Sequence, residues 1–198
     1  RIITPMIKGR ICRDNVKVAT AAMEARGGNG YIEEWVNARL VRDAHLGVVW
    51  EGTSSIVALD VTKRAIPKVQ AHEALGGVLQ QTIEETDQMP GQYRGELSAM
   101  VDRAVRFAGQ VAEKDEYESF SRQASNALYH VMSAVLLARE GVMMGEQSDD
   151  ASRLLLSRLV MDHRLRPHDP MSLDDSVAES TAAALLLDGE TPTLEQAR

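Results

Sequence analysis

Apolar side chains return every third or fourth residue through most of this 198-residue chain, and no convincing every-other-residue pattern interrupts them. That restricts the fold to packed helices, an all-α architecture. Residues 95–119 place Leu97, Met100, Val101, Ala104, Ala108 and Val111 on one helical face. Residues 121–144 do the same with Leu128, Val131, Met132, Val135 and Val142. After Gly145 and Ser148-Asp149-Asp150 a further helix carries Leu154, Leu155, Leu159 and Val160, and Pro167 and Pro170 break it. Residues 173–187 form a last helix ending at Asp188-Gly189, with a frayed tail from Glu190. Residues 70–87 read as a weaker helix interrupted by Gly76-Gly77, and Met89-Pro90-Gly91 as a turn. Stripes of this kind are bundle core rather than ligand pockets.

Two shorter segments carry a different signal. Residues 14–26 are helical in pattern, with Val16, Ala19, Thr20 and Met23 on one face and Asp14 as N-cap. The helix should stop at Gly27 or Gly28, because glycine adopts a left-handed terminus cheaply. Gly27-Gly28-Asn29-Gly30-Tyr31 then holds more glycine than one cap needs. The surplus lets a ligand or a neighbouring subunit touch main chain. Taken alone, it reads first as a glycine-rich turn between helices. Twenty residues on, Trp50-Glu51-Gly52-Thr53-Ser54 sets one carboxylate beside an aromatic ring, just before a helix that runs from the caps Thr53 and Ser54 to Ile66, where Pro67 stops it. The free N–H groups of that first turn suit an anion, and burial against Trp50 would raise the carboxyl pKa. A lone loop glutamate is otherwise a solvated residue.

Together these segments resemble the acyl-CoA dehydrogenase flavoproteins. Glu24-Ala25-Arg26-Gly27-Gly28-Asn29-Gly30-Tyr31, Arg42-Asp43 and Trp50-Glu51-Gly52-Thr53-Ser54-Ser55-Ile56 are similar to that family's Gln-x-x-Gly-Gly-x-Gly, Arg-Asp and Glu-Gly-Thr-Ser segments, with no insertion between Gly28 and Glu51. The resemblance implies that Glu51 is the base that removes the α-proton of an acyl-CoA thioester while the β-hydrogen leaves as hydride to FAD. It implies a backbone N–H of Glu51 that polarises the thioester carbonyl, Gly52 near the acyl-CoA, and Gly27, Gly28 and Thr53 near FAD, the glycines facing the FAD of a neighbouring subunit. Ser55 stands at a further position near FAD. There, and at Glu24, the family has glutamines that touch the adenine half of the cofactor.

The opening Arg1-Ile2-Ile3-Thr4-Pro5-Met6-Ile7-Lys8 and a continuation of more than 130 residues past Ile66 resemble the adaptive-response (AidB-type) branch, which also carries a helical extension. The implied architecture is part of the family's C-terminal four-helix bundle over residues 1–66, followed by a helical extension over 67–198. The chain begins inside a family motif and without Met, so it is expected to be a C-terminal piece of a longer enzyme. FAD and activity would then need the missing domains. Half a bundle leaves an apolar face uncovered, so self-association into a homo-oligomer is expected. An electron-transfer flavoprotein is the partner the resemblance implies.

Charge bears on the remaining classes. Residues 1–65 hold 10 Lys/Arg and 7 Asp/Glu, a net of +3; residues 66–198 hold 12 and 22, a net of −10. The adaptive-response branch is associated with DNA, which needs a basic surface. This extension is acidic, so neither DNA nor an anionic membrane surface is an expected partner. No apolar run approaches the roughly 18–20 residues of a membrane span. With one cysteine, Cys12, and no secretory leader, a cytoplasmic setting is expected. Cys12 reads as a small buried apolar group. Among the five histidines only His163 and His168 come close to metal spacing, across Pro167, and no metal site is expected.

Overall fold

The computed structural model describes residues 1–167, 169, 171–173, 176–187, 189 and 191–197. Helices follow one another as α1 (Ile3–Glu24), α2 (Gly28–Tyr31), α3 (Val36–Val49), α4 (Ser54–Leu59), α5 (Ile66–Val69), α6 (Ala71–Glu84), α7 (Gly91–Glu113), α8 (Ser121–Ser148), α9 (Ser152–Val160) and α10 (Ser176–Leu187). A π turn, Asp60–Ala65, joins α4 to α5, and a second, Met161–Leu165, follows α9. Among the described residues there is no strand, and no helix is long and apolar enough to cross a membrane. The chain forms two compact units, residues 1–71 with 108–129 and residues 72–107 with 130–198.

In the first unit α1 packs along α3 and against α4. Two glycines permit the approach. A Cβ on Gly9 would lie 2.8 Å from Val57 Cγ2, and one on Gly47 would meet Cys12 Sγ at 3.4 Å. Cys12 is thus a half-buried packing group. Met6, Val57, Val61 and Ile66 are buried in this unit, as are Ala108, Val111, Ala124 and Leu128. Thr62 Oγ1 donates to Ser121 Oγ at 2.9 Å, and Lys63 pairs with Asp115 at 2.8 Å.

Two boundaries differ from the sequence expectation. α1 starts at Ile3, so Asp14 lies inside it and is no cap. Pro5 sits in the first turn, where its missing N–H costs nothing, and Asp14 pairs with Arg10 one turn back at 2.5 Å. Pro67 does not end its helix either. The Ile66 N–H reaches back five residues to the Val61 carbonyl, and this wider turn relieves the clash a proline ring makes in a regular helix. The chain stops instead at Gln70, with φ 48°.

In the second unit Gly76 does not interrupt α6. It is where α6 meets α7, since a Cβ there would touch Val105 Cγ2 at 2.9 Å. Gln80 Nε2 donates to the Ser98 carbonyl at 3.0 Å across the same contact. Gly141 lets α8 approach α9 so closely that a Cβ would lie 2.2 Å from the Leu154 nitrogen. The predicted stripe residues Leu97, Val101, Val131, Val135, Val142 and Leu154 are all buried, while Met100, Leu159 and Val160 are half-buried. α7 ends at Glu113 rather than 119, replaced by a tighter stretch over Asp115–Phe120.

Buried Tyr93 ties this unit together. Its hydroxyl donates to Ser157 Oγ at 2.6 Å, and Ser157 in turn donates to the Ala134 carbonyl at 2.6 Å. The Arg158 guanidinium lies over the Tyr93 ring at 4.5 Å and donates from Nε to the Ala197 carbonyl at 3.0 Å. The tail is therefore docked rather than frayed. The Ala151 N–H bonds to the Pro192 carbonyl at 2.7 Å, Leu194 lies against Gly145, and Ala197 is buried. The expected endpoints Asp188 and Glu190, together with Pro170 and His168, fall outside the described residues.

Candidate functional site

The glycine segment resolves into three different requirements. α1 closes with the Gly27 N–H on the Glu24 carbonyl at 2.9 Å. Gly27 itself takes φ 58° and ψ −141°, a conformation that only glycine adopts without strain. A Cβ on Gly30 would lie 2.1 Å from the Met23 carbonyl oxygen, so packing demands glycine there. Gly28 meets neither condition: its φ is not positive and nothing lies within 4 Å of where its Cβ would be. Of the three, Gly28 is the one whose lack of a side chain this chain's own folding does not require. Glu24, at the family's glutamine position, is exposed.

Downstream of this turn, Arg42 forms a two-pronged pair with Glu33 at 2.6 and 3.1 Å, joining the α2–α3 loop to α3. The Arg42 hydrogen bonds, and then its charge, hold the Glu33 carboxyl below its ordinary range. Asp43 pairs instead with Arg39 at 3.5 Å.

α3 ends on Trp50, and the chain reverses through two left-handed residues, Glu51 at φ 54° and Gly52 at φ 98°. For Gly52 that conformation is free, whereas for Glu51 it costs on the order of 1–3 kcal/mol. Something must hold the glutamate there, and α1 supplies it. Lys8 Nζ donates to the Trp50 carbonyl at 2.7 Å and also to the Gly52 carbonyl. These are the carbonyls of the residues on either side of Glu51. One turn further along α1, Arg13 Nε donates to Ser54 Oγ at 2.7 Å. Gly9, between them, lets α4 sit against α1.

The carboxylate is exposed, as are Thr53 and Ser55. Trp50 is 56% exposed and gives Glu51 no apolar burial within this chain, contrary to expectation. Nor do the expected caps act as caps. Thr53 occupies the cap position without a side-chain bond to the helix, and the Ser54 hydroxyl is taken by Arg13.

The two candidate groups do not form one pocket. Lys8 and Arg13, which touch the Glu51 turn, precede Glu24 and the Gly27 turn by 11–16 helical residues, or about 16–24 Å at the α-helical rise. Glu51, Gly52, Thr53 and Ser55 share one turn; Gly27 and Gly28 lie at the far end of α1. Lys8, Gly9 and Arg13 were not among the residues singled out by function. Nothing local marks them, because their partners are more than forty residues away in sequence. Among the described residues no group of three potential metal ligands converges.

Residues 1–66 match the family model of the acyl-CoA dehydrogenase C-terminal domain. The likeness extends further in individual relatives. The chain is 33% identical over 129 residues to AidB of Escherichia coli (strain K12), provisionally named an acyl-CoA dehydrogenase, covering 65% of this chain and 21% of that protein. It is 32% identical over 111 residues to a 3-methylmercaptopropionyl-CoA dehydrogenase of Ruegeria pomeroyi, covering 56% and 17%. It is 33% identical over 86 residues to acyl-CoA dehydrogenase family member 11 of Caenorhabditis elegans, covering 43% and 14%. A match of 129 residues cannot fit within residues 1–66, so at least 63 of them (129 − 66) lie beyond Ile66. The chain therefore spans about a fifth or less of the length of these curated relatives. No solved structure gives a significant match.

Proposed function

We propose that the protein carrying this chain is an FAD-dependent acyl-CoA dehydrogenase, with residues 1–66 as the C-terminal part of its bundle domain and residues 67–198 as a helical extension. The observation that carries this reading is the Glu51 turn. A carboxylate is held in a costly left-handed conformation by bonds from a separate helix, on a segment that matches the dehydrogenase domain. Strain of that kind, held by its surroundings, is characteristic of working residues. Glu51 would take the α-proton of the acyl-CoA, its backbone N–H would polarise the thioester carbonyl, and Gly52 would let the substrate lie close.

The residues present suit FAD. Gly28 offers bare main chain where no packing calls for it, and Gly27 stands beside it. Thr53 and Ser55 leave their hydroxyls accessible on the other turn. When bound, FAD supplies the acceptor for the β-hydrogen. Because the two turns lie about 16–24 Å apart along α1, the glycines serve a different flavin contact from the Glu51 turn, in keeping with a cofactor shared between subunits of a homo-oligomer. An electron-transfer flavoprotein would reoxidise the flavin.

In the full-length protein, anaerobic addition of short- to long-chain acyl-CoAs should bleach the flavin band. Glu51→Gln should abolish bleaching and leave the flavin bound. Bleaching at the parent rate by Glu51→Gln would remove Glu51 from the reaction. The replacement of both family glutamines, by Glu24 and Ser55, favours a second reading, a flavin-binding protective protein with little turnover. A flavin that binds and never bleaches would select it.

A further inference from the structure

We propose that Lys8 is a positioning residue for the proton-abstraction step, acting through the main chain on both reacting groups of Glu51; this rests on the reading of Glu51 as base. Lys8 is half-buried, and its Nζ donates to the Trp50 and Gly52 carbonyls. Among the described residues no carboxylate pairs with it; its charge is spent on these two backbone dipoles.

The consequence follows from peptide geometry. A peptide unit is planar and trans, so its C=O and N–H point in opposite directions. The Trp50 carbonyl and the Glu51 N–H belong to the same unit. A cation that fixes the carbonyl fixes the direction of that N–H, on the face away from Lys8. The same charge-assisted bond draws electron density toward the carbonyl oxygen and makes the N–H a stronger donor. This is the N–H assigned to the thioester carbonyl. The second bond, to Gly52, holds the far side of the turn. With both flanks tied, Glu51 is kept at φ 54° and its carboxylate leaves the backbone in one direction. Lys8 thus sets base and carbonyl donor in a fixed mutual geometry without touching substrate.

Three neighbours show that α1 is built for this. Gly9 has no side chain where Val57 approaches, Arg13 holds Ser54, and Cys12 seats against Gly47 on α3. The helix entering the turn and the helix leaving it are both referred to α1, and Lys8 is the contact that reaches the turn itself.

The test uses the full-length flavoprotein and the acyl-CoA that bleaches it fastest. Lys8→Met keeps the apolar stem and removes the donors. Bleaching should slow by about tenfold to hundredfold, the range expected from small misplacement of reacting groups. KM should move much less, and flavin content not at all. Lys8→Arg, which keeps charge and donors, should recover most of the loss. A purely structural lysine would instead lower flavin content and thermal stability in parallel with rate. Bleaching by Lys8→Met at the parent rate overturns the proposal, and so does equal loss in Lys8→Met and Lys8→Arg. Should Lys8→Met fail to fold, Lys8→Gln, which keeps a shorter, uncharged amide donor group, decides: slowed bleaching at parent flavin content supports the proposal, and parent-rate bleaching overturns it. Loss of bleaching in Glu51→Gln beside an unchanged Lys8→Met rejects only the role of Lys8. Parent-rate bleaching in Glu51→Gln rejects both.

Discussion

α1 in the first unit and the helices of the second unit make opposite use of apolar side chains. Along 22 residues α1 fully buries only Met6, while Ile3, Ile7, Ile11 and Val18 remain exposed, Val18 at 66%. On α3 of the same unit Val36 and Val49 are exposed too. The second unit buries Leu79, Ile83, Leu97, Val101, Val135 and Leu154 and closes its own tail over them. The second unit thus closes a core with its own tail. In the first unit, α1 and α3 have one face filled and another open. Helical pattern reports that a helix has an apolar side, and it is silent on whether this chain supplies the partner for it.

This contrast can be broken by substitution. Leu97→Ala, in the self-completed core, should cost about 2–5 kcal/mol in urea unfolding; a loss under 1 kcal/mol would mean that the second unit is loosely packed. Tyr93→Phe should cost about 1 kcal/mol, because Ser157 keeps its bond to Ala134 and loses only a donor. No change at all would take the Tyr93 hydroxyl out of the account.

The next effect is one of pH. His72 is buried with an unpartnered Nδ1, and burial holds its pKa below the ordinary 6.5, partly opposed by Glu73. Between the two values the unfolded chain binds a proton that the folded chain refuses. Stability should therefore be full above pH 6.5, fall as pH drops through that value, and level off below the folded pKa. His72→Gln should flatten that region of a stability–pH curve. An unchanged slope would assign it to other groups.

Smallest in stability is the open face. Ile11→Glu with Val18→Glu should shift unfolding by no more than about 0.5 kcal/mol, as surface changes do. The same pair should lower the mass seen in light scattering, if the uncovered face drives self-association as proposed. A parent chain that is already a monodisperse monomer would contradict that proposal.

Much of the fold was legible because the stripe from Leu97 to Val111 and that from Leu128 to Val142 follow helical spacing with few breaks. Where the reading failed, distant contacts overruled local signals. Pro67 and Gly76 look like punctuation, yet the first is accommodated by a wider turn and the second by a neighbouring valine. The tail looked frayed because its anchors, Ala151 and Arg158, lie about forty residues upstream. At the site, the glycines and Glu51 stood out by type and spacing. Lys8 did not, since a lysine bonded to two carbonyls looks in sequence like any solvated lysine.

The wide turn from Asp60 to Ala65 also acts as a phase adjuster. Fitting an extra residue into one revolution rotates everything beyond it by about 100° relative to an unbroken α-helix. Val61 and Ile66, five apart, both reach the core as a result. The segment that carries the Glu51 turn and the segment that follows Pro67 can therefore each keep the angular setting its own neighbours require, within one nearly continuous rod.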